Sequence, residues 1–199
     1  MMFALVALSI LALGVIIDRL RVFKLAEVDS DSLRNRLVDA LDDKDADRAV
    51  EACKDTTGPA AAVLLVGLKQ YRAMLDRGKS ENLEGIISRS MNDYAPHVID
   101  SLEKRLNLLA MVGTVAPLIG MTGTVVGMIT SFNDMAAGGL EAGSVGSGIS
   151  LALVTTAAGL IVAIPAVISH NIFTRRIEMI TLQVEETANA LINYVTLNH

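Results

Sequence analysis

The sequence predicts an all-α membrane protein: three transmembrane helices with a helical cytoplasmic domain, helices two and three extending into the cytoplasm. Three observations carry that expectation. The runs 1–17, 106–132 and 147–174 contain no Asp, Glu, Lys or Arg. All 17 Lys and Arg lie either between Arg19 and Arg105 or at Arg175 and Arg176. The charged remainder carries helix starts, stops and helical spacing rather than alternation. Composition agrees: 52% of the 199 residues are hydrophobic and 20% charged, and the mean hydropathy is +0.47. That excludes a disordered chain, which needs low hydrophobicity and high net charge. A net charge of -5 argues against a nucleic-acid partner. A single Cys excludes an intramolecular disulfide framework and an all-Cys zinc site.

The first span, 1–17, is about 25 Å long as a helix, at the short end of what crosses a ~30 Å hydrocarbon core. A cleaved signal peptide would place basic residues before the apolar run and small residues after it. Here nothing basic precedes the run, and Asp18-Arg19-Leu20-Arg21 and Lys24 follow it. A retained span is therefore expected. The second span, 106–132, and the third, 147–174, reach about 40 Å each, enough to cross with tilt. The shorter apolar run Ala60 to Leu68 is read as a core helix.

Orientation follows from the bases. Arg19, Arg21 and Lys24 follow the first span, Lys104 and Arg105 precede the second, and Arg175 and Arg176 follow the third. The segment 133–146 has none. Lys and Arg stay on the cytoplasmic side. The N-terminus is then outside, 18–105 is a cytoplasmic domain, 133–146 an outside loop and 175–199 a cytoplasmic amphipathic helix. The four Phe residues fall near the span ends, a weak version of the usual Trp and Tyr belts.

Within the cytoplasmic domain, Ser30 or Asp31 is expected to cap a helix ending near Leu41. Asp45 starts a short helix through Cys53. Pro59 opens a helix running to about Asp76, since Pro is tolerated in the first turn, and Arg77-Gly78 stops it. Ser80, with Glu81 and Glu84, starts the next. From there the only breaker before the membrane is Pro96, so a long helix is expected to run into span two, bent near Pro96. In the tail, Ile177, Ile180, Val184, Thr187, Leu191 and Val195 recur at helical spacing. This face packs either against the domain or against another subunit.

Span two carries Gly113, Pro117, Gly120, Thr124, Gly127 and Ser131 on one face. Gly123 and Gly127 form a GxxxG. Span three offers Ala152, Thr155, Gly159, Ala163 and Ala166, with Thr156 beside them. Small faces let helices pack closely in lipid. Pro165 leaves the Ile161 carbonyl without its usual backbone donor. The same faces could line a pore, where hydroxyls donate and accept hydrogen bonds. No Asp, Glu, Lys or Arg lies inside any span, although a proton pathway usually has an ionisable group there. The chain either conducts nothing or relies on a partner for that group.

At spans two and three the sequence resembles the MotA/TolQ/ExbB proton-channel family, closest to the TolQ/ExbB branch. The resemblance rests on Gly113-Thr-Val-Ala-Pro-Leu-Ile-Gly-Met-Thr-Gly-Thr-Val-Val-Gly127 and on Gly148-Ile-Ser-Leu-Ala-Leu-Val-Thr-Thr-Ala-Ala-Gly-Leu-Ile-Val-Ala-Ile-Pro165. It implies a subunit of the bacterial inner membrane that forms a homo-oligomer, usually a pentamer. The ring surrounds transmembrane helices of a small one-span ExbD- or TolR-like partner, whose Asp carries the proton. The complex drives a TonB- or TolA-like envelope protein, powering transport or envelope work. The loop 133–146 would then be periplasmic. Thr124 and Thr156 match the family's pore threonines; Gly113, Pro117, Gly120, Gly127, Gly159 and Pro165 are read from their own spacing and chemistry as packing and kink positions. One position departs: Leu151 stands where the family pattern has Glu. That departure favours an alternative, a non-conducting membrane scaffold or inactive paralogue. A MotA-like flagellar stator subunit is a further alternative, against which a count of three spans weighs. Members often carry a segment ahead of the first span, so the start is expected to be shortened relative to them.

Nothing else points to chemistry. His97, His170 and His199 lack a metal-ligand spacing, and His170 reads as an interfacial residue. Cys53 reads as structural. There is no phosphate loop and no nucleophile elbow. The acidic run Asp39, Asp42, Asp43, Asp45 and Asp47 reads as a solvated face without the EF-hand pattern. No enzyme activity, cofactor or metal is expected, and the lipid membrane is the expected environment.

Overall fold

Between Gly14 and Gly58 the sequence contains neither Gly nor Pro, and one helix takes up most of that stretch. In the computed structural model, which describes residues 1–42, 46–56, 58–76, 83–138 and 142–198, Met2–Asp42 forms a single helix, α1. The expected start at Ser30 or Asp31 is not realised. Ser and Asp inside a helix cost only tenths of a kcal/mol each, so without a breaker the helix runs through. The starts at Asp45 and at Ser80 with Glu81, and the stop at Arg77-Gly78, lie outside the described residues. Ala46–Asp55 is α2 and Pro59–Asp76 is α3. Pro59 occupies the first turn of α3 as expected, and the Ala62 amide closes that turn on the Gly58 carbonyl at 3.1 Å.

Leu83–Glu103 is α4 and Leu106–Gly138 is α5. The expected unbroken helix into span two is therefore divided, at Lys104–Arg105 rather than at Pro96, which α4 accommodates in its interior. The cause is tertiary. Arg19 is buried, and its Nη1 donates to the Leu102 carbonyl at 3.1 Å. A guanidinium there satisfies a carbonyl of the last turn and sits favourably at the negative end of the helix dipole. Ala142–Asn198 is α6, about 85 Å of continuous helix. Among the described residues there is no strand.

The chain forms two compact units. One comprises Met1–Asp18 and Arg105–Phe173, the other Arg19–Lys104 and Thr174–His199. Three helices are long and apolar enough to cross a membrane, over Met2–Lys24, Leu106–Ala136 and Gly146–Thr196. In the second unit, Leu33, Ala49, Leu64, Leu68, Ile87 and Met91 share one core with Val184, Leu191 and Val195 of α6. The tail face thus packs against its own domain. Gly67 makes this possible, since a Cβ there would collide with Met91 and press on Leu191.

Candidate functional site

Spans two and three meet closely at glycines, against backbone at Gly120 and Gly159 and against side chains at Gly113, Gly123, Gly127 and Gly148. Along α5, Gly113 faces Val167, Gly120 faces Thr156 and Gly159, Gly123 faces Thr155, and Gly127 faces Ala152. Gly148 faces Ser131. Partners fall in number on α6 as they rise on α5, so the two helices run antiparallel. A Cβ on Gly120 would lie 3.0 Å from the Thr156 Cα, and one on Gly159 would lie 2.7 Å from the Ala116 carbonyl oxygen. Removing side chains at these positions is what lets the helices approach closely enough for hydrogen bonds between them.

One such bond involves a threonine singled out by sequence. Thr156 Oγ1 donates to the Gly120 carbonyl at 2.9 Å, across 36 residues. In the helix ladder that carbonyl is also the acceptor for the Thr124 amide. The Thr124 hydroxyl donates to the Met121 carbonyl at 2.6 Å, within its own turn. Both residues are half-buried. Their hydrogens are thus engaged inside the protein, while the oxygen lone pairs retain accepting capacity. Thr155 is only 8% exposed and Ser131 4%; both bond to carbonyls of their own helices, at Ala152 and Gly127.

The remaining positions are placed as follows. Gly113, Gly120, Gly127 and Gly159 all lie in the α5–α6 contact. Pro117 is half-buried and Pro165 exposed, each inside a continuous helix. Leu151 is 70% exposed. It lies five residues from Thr156, about 140° around the helix, and so faces another side. Sequence reasoning missed a pair of features at the ends of the apolar runs. Arg105 Nη1 bonds to Asp18 Oδ2 at 2.7 Å, and Arg19 caps α4 as described. The signal was present as an acid–base dipeptide after one run and a base pair before the next.

These features define a multi-pass α-helical membrane protein whose second and third apolar helices pack closely at glycines beside uncharged hydroxyls. The chain belongs to the MotA/TolQ/ExbB proton channel family, whose model matches residues 55–186. It is similar to the Tol-Pal system protein TolQ of Haemophilus influenzae, with 30% identity over 98% of this chain and 86% of that protein. It is similar at 30% identity to TolQ of Pseudomonas aeruginosa, over 90% of this chain and 79% of that one. Biopolymer transport protein ExbB of Helicobacter pylori shows 41% identity over 40% of this chain and 56% of its own length.

Proposed function

We propose that this chain is a subunit of a proton-driven energy-transducing motor in the bacterial inner membrane. It forms an oligomeric ring around the transmembrane helices of an ExbD- or TolR-like partner and drives a TonB- or TolA-like envelope protein. The N-terminus is periplasmic and the C-terminus cytoplasmic. Thr124 and Thr156 face the partner's Asp, with Gly113, Pro117, Gly120, Gly127, Gly159 and Pro165 shaping the helices that carry them. The observation that supports this reading best is the bond from the Thr156 hydroxyl to the Gly120 carbonyl, one helical turn from Thr124, in spans without any Asp, Glu, Lys or Arg of their own.

The chemistry follows from the hydroxyl bonding. A carboxylic acid inside a low-dielectric pore is costly unless it is hydrogen-bonded. With their hydrogens held by Met121 and Gly120, the two threonines offer lone pairs and so favour the protonated acid. Thr156 can serve the ionised acid only by releasing the bond to Gly120. Deprotonation of the partner is thereby tied to a change at the contact of spans two and three. Thr124→Val and Thr156→Val should assemble normally and lose proton-driven output, while Thr156→Ser retains it. Full output in both valine variants would sink the assignment.

Leu151 favours a second reading, a non-conducting scaffold. A strong gain of proton flux in Leu151→Glu would identify the leucine as a loss of function. The exposure of Leu151, and its separation around α6 from Thr156, argue instead that the substitution changes flux little.

A further inference from the structure

The membrane unit holds two described acids, and they are in opposite states. Asp18 is paired with Arg105. Asp134, in the last turns of α5, is exposed and makes no ion pair or hydrogen bond among the described residues. Its position works against it. A carboxylate near a helix C-terminus meets the negative end of the dipole, and no basic residue occupies the last turn to offset this. Asp134 lies ten residues beyond Thr124 on the same helix, about 15 Å toward the outside end. Between them stands Ser131, seven residues from Thr124 and on nearly the same face of the helix.

We propose that Asp134 is the proton-collecting carboxylate at the outer mouth of the pathway. The inference rests on the functional reading above. Its carboxylate takes a proton from bulk water and passes it to water leading toward the partner's acid. It is then regenerated as the carboxylate, so no charge or atom is left over. An anionic group at a low-dielectric opening raises the local cation concentration and the capture rate. The groups that could oppose it are few. The described part of α6 holds no titratable side chain before His170. Under the proposed topology α1 contributes only the Met1 ammonium at this side. Glu141 lies outside the described residues.

The test uses the full chain with its one-span partner in proteoliposomes, with flux read by a pH-sensitive dye. Asp134→Asn should lower inward flux on the order of tenfold at mildly alkaline external pH, where protons are scarce. The deficit should narrow at mildly acid pH and on adding a concentrated mobile buffer, while Asp134→Glu behaves as the parent. Unchanged flux in Asp134→Asn at every pH, with Thr124→Val inactive, overturns this inference and leaves the functional reading standing. A pH-independent loss, or the same pH-dependent loss in Glu141→Gln with Asp134→Asn silent, also overturns it. Full flux in both Thr124→Val and Thr156→Val overturns the functional reading itself.

Discussion

A methyl group at Gly159 would meet a backbone carbonyl, which cannot move aside as a flexible side chain can. Gly159→Ala should therefore force α5 and α6 apart and cost about 1–3 kcal/mol, the usual range for overpacking. Thermal unfolding of the purified protein in detergent measures this. Gly146→Ala is the matched control, since nothing lies within 4 Å of a Cβ there. A second residue-scale expectation concerns Cys53, buried in the core of the second unit, where desolvation pushes its thiol up to about 11 from 9.0. The thiolate is the reactive form, so maleimide labelling at neutral pH should be slow until the protein is unfolded. The raised value has a stability sign. The folded state binds the proton more tightly, so its contribution is complete below about pH 9 and is lost as pH rises toward 11. The glycines of this contact were legible in sequence because their spacing alone puts them on one face. The Thr156 bond was not, because it needs the register between two helices, which one helix's periodicity does not contain.

At the scale of elements, the clearest case is the end of α4. Nothing in residues 97–110 contains a Gly or Pro, so local rules run the helix on. The interruption depends on Arg19, 83 residues away, whose guanidinium takes the Leu102 carbonyl. Propensity cannot report a partner that distant. Arg19→Gln should leave that carbonyl underserved and cost about 1–3 kcal/mol, the penalty of an unsatisfied buried polar group. The loss should appear as lower thermal stability of the second unit, with faster amide exchange confined to the last turn of α4. Unchanged exchange there would mean that the helix end is set by something else. The tail of α6 shows the opposite situation. Its apolar spacing was legible, while its partner was not, since one apolar stripe fits a domain or a second subunit equally. The shared core with α3 and α4 decides it. Leu191, fully buried, should cost about 2–5 kcal/mol on truncation to Ala.

At the scale of the whole molecule, the distribution of charge argues for one topology. The chain passes between its two units at 18/19, 104/105 and 173/174, and basic residues stand at or within two positions of each passage. None stands between Arg105 and Arg175, where the loop between spans two and three lies. Carrying Lys or Arg across the bilayer during insertion is disfavoured, and the bias of short flanking segments sets orientation. Three independent flanks point the same way, so reversing the protein would require every one of them to be overridden. The arrangement is testable without any assumption about proton flow. A membrane-impermeant maleimide applied to intact spheroplasts should label Gly139→Cys. It should label Lys24→Cys and Arg175→Cys only after the membrane is opened, with Cys53 replaced by Ser in every variant. Labelling of the Lys24 and Arg175 positions in intact spheroplasts would invert the topology. It would also move Asp134 to the cytoplasmic side, where it could not collect incoming protons. Under the proposed function, the charge map therefore constrains the direction in which protons would do work, a step that neither the helix count nor the packing of spans two and three supplies.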